Sequence, residues 1–150
     1  MSLLQLKYYG KDIQTVILQT ESFPQPSNQE TNTFNEIYTG YVQKSSSYSK
    51  LYDEFYDSIG YVTFDNTISN LGYNQKIYVT ENATYFINGR GSISYTYSWE
   101  SISNSVNFSS GTSIATRILA STDKYYNKQG PIAINVNDDG TRNVTILFNS

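Results

Sequence analysis

The chain has 150 residues, a formal net charge of −3 and charged side chains at only 15% of positions. It has no cysteine and no histidine. That excludes disulfides, thiol nucleophiles, metal sites built on those two ligands and every imidazole relay. No basic block is present, so nucleic-acid binding through phosphate neutralisation is not expected.

The length predicts a single domain over 1–150, able to bury roughly 70% of its unfolded surface. Ser, Thr and Asn together fill 50 positions and Tyr another 15. With seven Phe and one Trp beside them, this is the reverse of a disordered composition. No apolar run is long enough for a membrane helix, so no membrane span is expected. Met1 to Gly10 carries neither the basic nor the apolar region of a secretion signal. The expectation is cytoplasmic synthesis or incorporation into a particle.

Taken in order, runs rich in β-branched and aromatic residues predict strands over 3–9 and 12–20. Ser22 to Asn32, with Pro24 and Pro26, predicts a long loop. A strand over 33–43 follows, then a second loop over Lys44 to Ser49, which holds three consecutive serines. Further strands are expected at 50–56, 59–65 and 76–81. Asp53 and Asp57 would share one face of the first of these while Glu54 opposes them. Nothing shields these carboxylates from water, so they predict a solvated acidic strand or turn rather than an acid–base pair.

From Ser92 to Trp99 the alternation has no error. Ile93, Tyr95, Tyr97 and Trp99 point one way; Ser92, Ser94, Thr96 and Ser98 point the other. Another strand is expected at 112–119. Residues 131–137 and 141–148 alternate on either side of Asp139-Gly140, which predicts an antiparallel hairpin. The same stretch imitates the start of a calcium loop from Asn135, but its twelfth position is Ile146 instead of Glu. No metal site and no cofactor are predicted. Short strands at regular spacing without a helical period predict an all-β fold, a small antiparallel β-barrel of about eight strands.

The stretch Val79-Thr-Glu-Asn-Ala-Thr-Tyr-Phe-Ile-Asn-Gly-Arg-Gly-Ser-Ile93 resembles a signature shared by allene oxide cyclases and dirigent proteins. Val79, Thr80, Phe86, Arg90, Gly91 and Ile93 fall on matching positions. Lys50 to Gly60 resembles the families' upstream element, which ends in a hydrophobic residue and Gly. The resemblance implies an allene-oxide-cyclase-like barrel. It also implies an irregular connection before the strand that begins after Gly91, where Asn88-Gly89 alone predicts a two-residue hairpin turn. The families' glycines are Glu81, Asn82 and Thr84 here. The position that carries a proton-donating acid in dirigent proteins is Tyr85, a far weaker acid at neutral pH. The resemblance therefore supports the architecture more than the chemistry.

No side-chain set predicts a catalytic group, and the chain is read as leaning away from an enzyme. The aromatic stripe Tyr95, Tyr97 and Trp99, with Tyr85 and Arg90, forms the candidate ligand-binding set. Tyrosines offer an apolar body with a polar tip, and Arg90 a fork of donors for an anion or a partner for Glu81 or loop carbonyls. The leading expectation is a non-catalytic structural or interaction protein. It would be a subunit of a homo-oligomer or larger assembly, a virion component being one such case. A surface rich in Tyr, Ser, Thr and Asn favours contact over free solvation. The first alternative is a cyclase- or dirigent-like barrel that binds or steers a small hydrophobic molecule with Arg90 and tyrosines inside the cavity. The second is a carbohydrate-binding module with Trp99 and Tyr on an exposed flat face.

Overall fold

Side-chain alternation with a period of two runs through nearly every element, and it sorts the residues into an inside and an outside. The computed structural model describes residues 2–9, 13–26, 37–70, 77–101, 113–139 and 141–149; of residues 15–26, 37–41 and 101 it describes the backbone alone. Ten strands are present: β1 Ser2–Tyr9, β2 Gln14–Pro26, β3 Ile37–Tyr52, β4 Ser58–Asn70, β5 Ile77–Ile87, β6 Gly91–Ser101, β7 Ser113–Arg117, β8 Ala120–Ser121, β9 Pro131–Val136 and β10 Thr141–Phe148. The sole helical element among the described residues is a 3-10 turn, Asp123–Tyr125. No described helix is long and apolar enough to cross a membrane.

The fold is all-β, a curled antiparallel sheet of the small-barrel kind. Its strand order is β7-β9-β10-β1-β3-β4-β5-β6-β8, with β2 attached to β3. One short segment joins the two ends of this path. β7 pairs with β9, and three residues later β8 pairs with β6. Leu119 N–H donates to Ser94 O at 2.8 Å and Thr116 Oγ1 to Thr96 O at 3.1 Å.

Several expectations change. Lys44 to Ser49 is not a loop but the middle of β3, paired with β4 throughout and with β2 as far as Tyr48. Ser45, Ser47 and Ser49 are buried, because the barrel interior accepts small hydroxyls beside large rings from the neighbouring strands. Ser22 to Pro26 is strand as well, with Pro24 and Pro26 in β2, which pairs with β3 alone among the described residues. An edge position tolerates a missing N–H. The expected strand 50–56 ends at Tyr52, and Asp53 closes a turn by accepting from the N–H groups of Phe55 and Asp57 at 2.9 and 3.0 Å. The expected strand 76–81 extends to Ile87, and the expected strand 112–119 ends as β7 at Arg117, with the short β8 beginning at Ala120. Residues 27–32 of the first expected loop and 33–36 of the strand after it lie outside the described residues.

β5 and β6 form a tight hairpin, not an irregular connection, with Ile87 opposite Gly91. The turn is also not the two-residue primed type. Arg90 N–H donates to Ile87 O at 3.0 Å, and Gly89 has φ 73, a left-handed value that glycine takes at no steric cost. β9 and β10 pair antiparallel as expected, with Asn137 N–H donating to Thr141 O at 2.8 Å across the turn.

The core follows from the alternation. Leu51, Val62, Ile87, Ile93, Ile132, Ile134, Val144 and Ile146 point inward and are buried. At one end the 3-10 turn inserts Tyr125, whose ring stacks on Phe148 at 5.7 Å. Gly60 is required where β4 meets β5, since a Cβ there would lie 1.8 Å from Phe86 O.

Candidate site inside the barrel

The register of β3 to β6 lays the inward residues out in rows. Ser49, Val62, Tyr85 and Ile93 form one row, and Ser47, Phe64, Ala83 and Tyr95 the next. The third row is Ser45, Asn66, Glu81 and Tyr97. The interior thus turns from apolar to polar within two rows. Beyond it Trp99 packs, half-buried, on Ile68, Ile77 and Val79.

Glu81 occupies an alternation phase otherwise filled by Ile77, Val79, Ala83, Tyr85 and Ile87, and all six side chains are buried. Tyr95 Oη donates to Glu81 Oε2 at 3.0 Å. Burial pushes the Glu81 carboxyl above its ordinary pKa; the Tyr95 hydrogen bond and the positive charge of Arg142 pull it down without cancelling that rise. Burial likewise holds the Tyr95 and Tyr85 phenols well above their usual range.

Arg142 and Tyr8 approach from the other side. Tyr8 is paired with Arg142 across β1 and β10. Arg142 Nη1 lies 3.5 Å from Tyr8 Oη, and its guanidinium carbon sits 5.6 Å from the Tyr8 ring centre. Burial pushes the Tyr8 phenol up to about 12, against the neighbouring guanidinium. For Arg142 itself burial opposes the charge, but Tyr8, Glu81 and Tyr95 outweigh it and its pKa rises. The Tyr8 ring also packs against Phe64 at 5.4 Å, and Tyr85 against Tyr95 at 5.8 Å.

Within this cluster Asn66 Oδ1 and Tyr85 Oη have no hydrogen-bond partner, and at the far end of the interior the same is true of Tyr125 Oη. The Tyr85 hydroxyl interacts with Tyr95 electrostatically without reaching hydrogen-bond geometry. An orphaned polar atom costs about 1–3 kcal/mol. A barrel needing only stability would fill these positions with Val or Ile. Chemically, the set is a hydrogen-bonded carboxyl–phenol pair with a guanidinium in electrostatic range.

Of the residues singled out from the sequence, Tyr85 and Tyr95 lie at the centre of this cluster. Tyr97 and Trp99 continue the same face, half-buried, with ring centres 5.8 Å apart. Trp99 therefore does not stand on an exposed flat face, contrary to the carbohydrate-module expectation. Arg90 lies in the exposed β5–β6 turn, outside the barrel, because the inward rows end at Ile87. It neither points into the barrel interior nor pairs with Glu81, whose bond is to Tyr95. Sequence reading missed Glu81, Arg142, Tyr8 and Asn66 as a group. The signal for two of them was present: each charge sits in phase with an apolar strand face, Glu81 with Val79 and Tyr85, Arg142 with Val144 and Ile146.

No family model matches the chain, and no curated protein matches it. Among solved structures, pyocyanin demethylase is similar in fold, with a TM-score of 0.51 over 98% of this chain and 99% of that one, at 11% sequence identity. At that identity the likeness supports the small β-barrel architecture and nothing finer.

Proposed function

We propose that this protein binds a small, largely apolar ring-bearing molecule inside the barrel, and that Glu81 with Tyr95 exchanges a proton with it. The observation that carries this reading is the Tyr95–Glu81 bond, 3.0 Å long and buried, beside the Asn66 Oδ1 and Tyr85 Oη atoms that complete no hydrogen bond. Tyr97 and Trp99 supply ring surface along the same inward face. The resemblance to allene oxide cyclases and dirigent proteins supports an interior site of this class. The named activity of the structural neighbour makes pyocyanin a reasonable first probe.

Trp99 is the only tryptophan, so its emission reports on the site. Titration with pyocyanin and with 2-naphthol is expected to change that emission saturably for at least one probe. Glu81→Gln should weaken that binding about tenfold, a loss typical of a hydrogen bond to a charged group. Absence of saturable binding by both probes, or a Glu81→Gln variant that binds as well as wild type, overturns the reading.

A second reading, a subunit of a homo-oligomer or larger assembly, is favoured by the outer face of β5 and β6. There Thr84–Ser94, Asn82–Thr96 and Thr80–Ser98 form an uncharged ladder of side-chain hydrogen bonds at 2.9, 2.6 and 3.1 Å. Such a surface carries little charge repulsion against a partner. Light scattering at micromolar concentration tests it; a monomer mass removes it.

A further inference from the structure

We infer a second ligand site, on the outside of the barrel, for a planar aromatic monocarboxylate. A groove of about 510 Å³ runs between the β5–β6 turn and the 3-10 turn, lined by Tyr61, Phe86, Arg90, Asp123 and Lys124 among others. Its volume falls in the range of small-molecule sites. Its floor is aromatic: Tyr61 and Phe86, neighbours in register, stack at 4.7 Å with planes only 19° apart. Tyr61 remains 47% exposed, so one ring face is open to a third ring, and offset stacking extends favourably.

The walls are held in place before any ligand arrives. Lys124 N–H donates to Arg90 O at 2.9 Å, Thr122 N–H to Ser92 O at 3.0 Å and Ser92 N–H to Thr122 Oγ1 at 3.0 Å. Gly91 has φ 123, and a Cβ there would lie 2.3 Å from Thr122 O, so only glycine lets the two turns close this far. Asp123 likewise takes a left-handed φ of 53, a conformation that non-glycine residues adopt sparingly. A rigid groove loses little ordering entropy on binding.

The charge on the walls selects the ligand. Arg90 and Lys124 bring two positive charges and Asp123 one negative, a net of one positive charge facing an aromatic shelf. A ring bearing one carboxylate matches both features: the ring covers Tyr61, and the carboxylate takes the two-donor fork of Arg90. Dianions meet Asp123, and neutral rings leave the cations unpaired. The site is independent of the Glu81 cluster, since Tyr61, Phe86, Arg90 and Lys124 lie on the outer strand face and the two turns.

The test uses 2-naphthoate, with naphthalene-2-carboxamide as its neutral match, followed by amide chemical shifts of the whole chain. 2-Naphthoate is expected to move the signals of 86–92 and 122–124 saturably and to bind about tenfold more tightly than the carboxamide. Arg90→Gln and Tyr61→Ala, both at exposed positions, should each weaken it about tenfold, while Glu81→Gln leaves it unchanged. Equal binding of the two probes, or an Arg90→Gln variant that binds like wild type, overturns the site. So does a shift pattern centred on Tyr95 and Trp99, or one lost with Glu81→Gln.

Discussion

Two regions of one interior are built from the same alternating strands and do opposite things. Around Tyr125 and Phe148 the inward residues are Leu51, Ile87, Ile93 and Ile132, and a stacked ring pair plugs the end. Around Glu81 the inward residues are Tyr8, Asn66, Tyr95 and Arg142, and a buried carboxyl bonds a phenol within the field of a guanidinium. The plugged region converts burial into stability. The Glu81 region spends burial on keeping a titratable group out of water. The contrast teaches that alternation alone defines the barrel, while the identity of a few inward residues decides whether a region is core or site.

The largest expected effect lies in the plug. Tyr125→Ala removes a ring that is 6% exposed and opens a cavity against Phe148, so urea denaturation should show a loss of about 3–5 kcal/mol. Tyr125→Phe should restore most of it, since the buried Tyr125 hydroxyl has no partner. A loss below about 1 kcal/mol for the alanine variant would mean that the ring does not hold the barrel end closed.

The next comparison sets two phenols of the polar region against each other. Tyr95→Phe removes the donor to Glu81 and leaves a buried carboxyl without it, which should destabilise the fold by about 1–3 kcal/mol at neutral pH. Tyr85→Phe removes a hydroxyl that completes no hydrogen bond, and should be neutral or slightly stabilising. If both substitutions act alike, the asymmetry between the two tyrosines in thermal melts is lost, and so is the special status of the Glu81 bond.

Glu81→Gln sharpens the comparison in the other direction, because loss of a site residue should strengthen the fold. The folded-state pKa of Glu81 is raised, so its favourable contribution is complete below the unfolded value of about 4.5 and is lost as pH rises through the raised value. Wild-type stability should therefore slope downward with pH across that window, relative to the variant. At pH 7 the variant should be more stable by about 1 kcal/mol, a gain commonly seen when a functional residue is removed. Paired melting curves from pH 4 to 8 read the slope, and parallel curves would contradict it.

How much of this was legible in the residues depends on which rule spoke. The flawless run from Ser92 to Trp99 and the Asp139-Gly140 hairpin were readable because period-two patterning and turn chemistry agree there. Lys44 to Ser49 was not, since serine carries no preference for either side of a strand; only the register against β4 reveals Ser45, Ser47 and Ser49 as inward. The candidate site was half legible. Tyr95 was found by its neighbours' alternation, whereas Tyr8 and Arg142 lie 134 positions apart and meet only when β1 pairs with β10. Arg90 illustrates the opposite error: a conspicuous side chain whose turn lies beyond the last inward row.

The smallest expected effect completes the comparison from the surface. Asp139 is a carboxyl whose shift has the opposite sign to that of Glu81: it is lowered, because the Thr141 hydroxyl and N–H both favour its charged form. Of the two, the N–H makes a hydrogen bond, at 2.8 Å, and the hydroxyl does not. Its contribution is present above the unfolded value of 3.8 and disappears as pH falls through the depressed one. Asp139→Asn keeps the turn-forming oxygen and removes only the charge, so it should weaken the β9–β10 hairpin slightly at neutral pH and not at all at the acid end of the titration. Combined with Glu81→Gln, the two substitutions should flatten the stability profile from both sides, since they are distant and act additively. A double variant whose profile departs from the sum of the single ones would tie the exposed hairpin to the buried carboxyl, and the independence of the two carboxyls would no longer stand.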